Sequence, residues 1–173
     1  MILRNRFPDK HTAFKTFIAV AFPVHIWAIV VTLQRFPSYL LYLKISEILG
    51  IVAYTLSSVL LESITITILW IIIGAGLPQR IFKEKIVPQA ALLTPVALVV
   101  ADSVQSLGSS FQEWIAIWAF GMIPILIIVY LVTKFQKLSE WLTKYVDRIT
   151  ILSLVYVFGD LIAVVIVIYR NLF

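Results

Sequence analysis

Residues 48–77 read ILGIVAYTLSSVLLESITITILWIIIGAGL, thirty positions that carry one formal charge, Glu62. A helix rises 1.5 Å per residue, so about 20 apolar residues cross a hydrocarbon core of about 30 Å, and this run is about ten residues longer. It must tilt, run past the headgroups, or begin with an interfacial stretch near Lys44 and Glu47. Four further apolar runs complete a set of five spanning helices at 12–33, 48–77, 87–107, 114–133 and 149–169, all too long for barrel strands. The expected fold class is all-α: a polytopic membrane helix bundle, with 1–173 forming a single transmembrane domain.

Composition agrees with this expectation. Of 173 residues 61% are hydrophobic and 13% charged, against roughly half and a quarter in soluble domains, so a water-soluble core cannot absorb the apolar surface. The net charge of +5 does not point to nucleic acid, because Lys and Arg sit at the ends of apolar runs instead of on one face. Membrane lipids are the expected partners, with anionic headgroups meeting those ends. The chain has no cysteine, which excludes disulfides and thiolate metal sites.

Basic residues also set an expected orientation. Four lie ahead of Phe17, three in 78–86 and four in 134–148, so alternate connections hold eleven against three. By the positive-inside rule the N-terminus is cytoplasmic and the C-terminus outside, in a plasma or inner membrane. The basic start followed by an apolar run has the order of a signal peptide, but Gln34, Arg35, Phe36 and Pro37 follow where a small-residue cleavage site would be needed, so a retained helix is expected. Within 134–148, Phe135, Leu138, Leu142, Tyr145 and Ile149 recur at steps of three and four, with Lys134, Lys137, Lys144 and Arg148 mostly elsewhere. That pattern suits an amphipathic helix lying in the headgroup layer, with Glu140 and Lys144 as an i,i+4 pair, or an extension of a neighbouring helix. Pro23, Pro95 and Pro124 fall inside three of the helices, where each removes a hydrogen bond.

Polar groups within the apolar runs are the candidate site, since charge inside a bilayer is costly unless paired or used. Thr55, Ser58, Glu62 and Thr65 share one stripe of the second helix, and Tyr156 stands one turn before Asp160 in the fifth. By helical rise, His25, Glu62 and Asp160 reach a common level, with Asp102 roughly 7 Å further toward the outer face. The ligand- or ion-binding candidates are therefore His25, Glu62, Asp102, Asp160, Ser58 and Tyr156, a set suited to proton or cation handling with the imidazole as partner or relay. The alternative is that hydroxyls satisfy each acid and the groups only fix helix packing. No metal-ligand spacing occurs, no cofactor motif is present, and no catalytic residue can be assigned.

Three functions remain open. The leading one is an accessory or structural subunit of a larger membrane assembly, as a homo-oligomer or with other chains. The others are binding and transport of a proton, cation or small amphiphile at the carboxylates, and a membrane enzyme doing acid–base chemistry on a lipid or isoprenoid. Outward-facing acids favour the subunit; acids converging on one cavity favour the other two.

Overall fold

The computed structural model describes residues 7–76, 85–107 and 110–172, whose regular structure is entirely helical. Five helices follow in order: α1 Lys10–Tyr42, α2 Ile45–Gly76, α3 Ile86–Leu107, α4 Phe111–Lys134 and α5 Gln136–Leu172. Each is long and apolar enough to span a membrane. Arg4, Arg6, Arg80 and Lys83, which enter the charge count, lie outside the described residues.

Two connections are far shorter than the sequence suggests. Only Leu43 and Lys44 separate α1 from α2, because Pro37 deletes a single helical hydrogen bond and α1 continues past it. The helix stops where the Leu43 N–H bonds the Tyr39 carbonyl at 2.9 Å. The Lys44 N–H then donates to Glu47 Oε2 at 2.7 Å, while the Glu47 and Ile48 N–H groups return to the Lys44 carbonyl at 2.9 and 3.0 Å. Glu47 thus satisfies a free N–H at the positive end of α2.

Phe135 alone separates α4 from α5. The segment 134–148, for which an interfacial helix and an extension of a neighbouring helix were both open, is chiefly the opening of α5. Its buried positions Ser139, Leu142, Val146 and Ile149 continue into Ser153, Asp160 and Ala163, one seam with steps of three, four and seven and no break at which a new helix could begin. Phe135 and Tyr145 lie off this seam and are exposed. Glu140 accepts from the Gln136 side-chain amide at 3.1 Å, in place of the expected Lys144 partner.

Helix α1 is the centre of the packing, touching α2, α3 and α5, while α4 attaches mainly to α3. Ile18, Val20 and Val24 of α1 meet Val59 of α2, Val87 of α3 and Val146 of α5 in the apolar core. Helix α4 is held at two places. At Gly121 a Cβ would lie 2.8 Å from both γ-carbons of Val100, so the missing side chain lets α4 approach α3. At the other end Lys85 Nζ donates to the Val132 and Thr133 carbonyls at 3.2 and 2.5 Å, placing an ammonium on the negative end of the helix. A capping box of Ser110 and Glu113 starts the same helix.

Candidate functional site

Helices α1 and α5 run in the same direction and are joined at two levels. Lys15 pairs with Asp147 at 2.6 Å near their starts, where both side chains are partly exposed. Further along, His25 Nε2 lies 2.9 Å from Asp160 Oδ2 and 3.2 Å from Oδ1, with His25 2% and Asp160 0% exposed.

The imidazole's other nitrogen fixes the protonation of this pair. Nδ1 lies 2.7 Å from the Ala21 carbonyl, which can only accept, so Nδ1 carries a hydrogen and donates it. One further proton then lies between Nε2 and the carboxylate: as imidazolium and carboxylate, or as neutral imidazole and carboxylic acid, the pair has no net charge. The Tyr156 ring lies over the imidazole with centroids 4.4 Å apart and planes 31° apart. A buried acid is therefore matched in charge by an imidazole that is hydrogen-bonded at both nitrogens and covered by an aromatic face.

Other buried polar side chains come from every helix that touches α1: Ser63 and Thr67 on α2, Gln89 and Thr94 on α3, and Ser153 on α5. Thr67 Oγ1 donates back to the Ser63 carbonyl at 2.6 Å and Ser153 Oγ to the Thr150 carbonyl at 2.5 Å, so these two hydroxyls are satisfied within their own helices, whereas Ser63 Oγ and Thr94 Oγ1 have no hydrogen-bond partner among the described residues. None of Ser63, Thr67, Gln89 or Thr94 stands out in the sequence. Helix α2 carries small polar residues on more than one face, Thr55, Ser58, Glu62 and Thr65 on one and Ser63 and Thr67 on another, so its pattern does not reveal that the face carrying Ser63 turns inward and the adjacent Glu62 outward.

Glu62 sits on a different surface. Leu43 and Lys44 turn the chain, so His25 and Glu62 are each about 18 residues from the turn and share a level along the bundle. Glu62 is nevertheless exposed, in an open groove of about 490 Å³ between α1 and α2 whose lining includes Ser58, Thr55, Trp27, Tyr39 and Arg35. By helical rise Arg35 stands about 15 Å from Glu62 along the groove, so the groove carries a cation and an anion at separate levels with hydroxyls between. Asp102 is exposed toward the end of α3. Of the six candidates, His25, Asp160 and Tyr156 come together inside the bundle; Glu62 and Ser58 share the outer groove; Asp102 stands apart. Among the described residues no three His, Asp or Glu side chains gather closely enough to hold a metal ion.

Comparison with protein-family models, with curated proteins and with solved structures finds no match to this chain.

Proposed function

We propose that this chain is a polytopic membrane protein with a cytoplasmic N-terminus and an external C-terminus, in a plasma or inner membrane, and that it serves as a subunit of a larger membrane assembly. The observation that carries the reading is the outward placement of Glu62. A carboxylate presented to hydrocarbon near the middle of a span costs about 3 kcal/mol. A neighbouring helix that supplies a donor removes that cost, and the Thr55, Ser58 and Arg35 side chains in the same groove add polar contacts for it. Only 11% of the apolar window of α4 is buried and 17% in α2 and α5, faces that acyl chains or neighbouring helices can cover equally well.

The transport and enzyme readings have weaker support. His25 and Asp160 are enclosed and matched to each other, while Glu62 and Asp102 do not share their site. The chain has no cysteine, so Ser58→Cys introduces a unique thiol into the groove. Thiol cross-linking in native membranes should give a product heavier than the 19.7 kDa protomer, and native mass in mild detergent should show the same partner or second copy. Glu62→Leu should release it. A lone protomer in both measurements would refute the subunit reading.

A further inference from the structure

We propose a second site, independent of the Glu62 groove: the apolar slot between α1, α3 and α5 holds one acyl chain of an anionic phospholipid, whose phosphate rests on Lys144 and Arg148. The slot has a volume of about 480 Å³, and its lining contains only apolar and aromatic side chains. That volume falls within the usual range for small-molecule sites. Along α1 its lining runs from Ala19 to Val30, about 16 Å by helical rise, which is half of a 30 Å hydrocarbon core and so the depth of one leaflet.

Charge identifies the occupant. Trp141 and Tyr145 line the slot and also line a smaller notch with Lys144 and Arg148. Tyr145 makes an edge contact to Phe22 at 6.5 Å and a stack on Trp141 at 6.0 Å, so the boundary between slot and notch is built from aromatic rings in contact with one another. The notch contains two cations and no carboxylate. Asp147 is engaged by Lys15 and Glu140 by Gln136, and Lys144 and Arg148 form no ion pair among the described residues. An aromatic collar with an apolar slot on one side and a guanidinium and an ammonium on the other matches a lipid with a chain and an anionic phosphate, Arg148 offering a forked contact to its oxygens.

The full chain, purified in non-ionic detergent, should be offered phosphatidylglycerol, phosphatidylcholine of the same acyl composition, and inorganic phosphate, with retained lipid read by native mass spectrometry and stability by thermal melting. The wild type should retain one phosphatidylglycerol about thirtyfold in preference to phosphatidylcholine, the factor expected from two basic contacts. Lys144→Gln with Arg148→Gln, both exposed, should bring retention of the two lipids within about twofold, still at one lipid per protomer. Ala91→Phe, which fills the slot, should abolish retention of both. Equal retention of the two lipids by the wild type, an undiminished preference in the double variant, wild-type retention in Ala91→Phe, or a melting shift reproduced by inorganic phosphate alone would each overturn the proposal.

Discussion

Removing His25 should damage the fold more than removing Asp160, although the two side chains make the same contact. In His25→Leu the carboxyl of Asp160 stays at 0% exposure with no partner, and to remain buried it must take up a proton. Breaking a buried ion pair by removing one partner costs about 3–5 kcal/mol. The converse change is milder, because an imidazole left without its carboxylate partner can stay buried as a neutral polar group. In Asp160→Leu the ring keeps its Nδ1–H bond to Ala21 and loses only the partner of Nε2, at a cost of about 1–3 kcal/mol. Asp160→Asn can donate an amide hydrogen to Nε2 and should cost about 1 kcal/mol. Replacing both residues by leucine removes both unmet groups, so the double variant should lie near wild type and the two single changes should couple by several kcal/mol. The assay is denaturant unfolding in mixed micelles, followed by tryptophan fluorescence. If Asp160→Leu proves as harmful as His25→Leu, or the double variant is additive, the shared-proton account is wrong.

At the α3–α4 contact, Gly121→Ala forces a methyl group against Val100 and should lower stability by about 1–3 kcal/mol, while adding Val100→Ala should recover most of the loss; thermal melts of the single and double variants check this. Lys85→Gln removes the ammonium from the Val132 and Thr133 carbonyls and should cost about 1–2 kcal/mol, seen as faster amide exchange in the last turn of α4 with α2 unchanged.

How much was legible in the sequence differs from helix to helix. Residues 48–77 announce a spanning helix by length and apolarity, and the described helix α2 lies within three residues of that reading at each end. The connection around Pro37 was read as too long, and 134–148 was left open between an interfacial helix and a helix extension, for one reason. Proline and charge mark where a helix becomes less favourable, but extension costs little once a long helix has nucleated, and packing along α5 makes it favourable. At the candidate site, His25 and Asp160 were found as costly residues at a common level, and so was Glu62, yet only the first two meet.

The sequence by itself therefore determined the five long apolar helices found among the described residues, where their apolar lengths lie, and which polar groups need an explanation, because each follows from chain length and composition through local hydrogen bonding and transfer from water. The tertiary structure decided the rotation of each helix about its axis. When small polar residues fall on more than one face of an apolar helix, no periodicity distinguishes inside from outside, and small steric differences between neighbouring helices set the angle. That rotation encloses Asp160 against His25 and turns Glu62, at the same level, toward the outer groove.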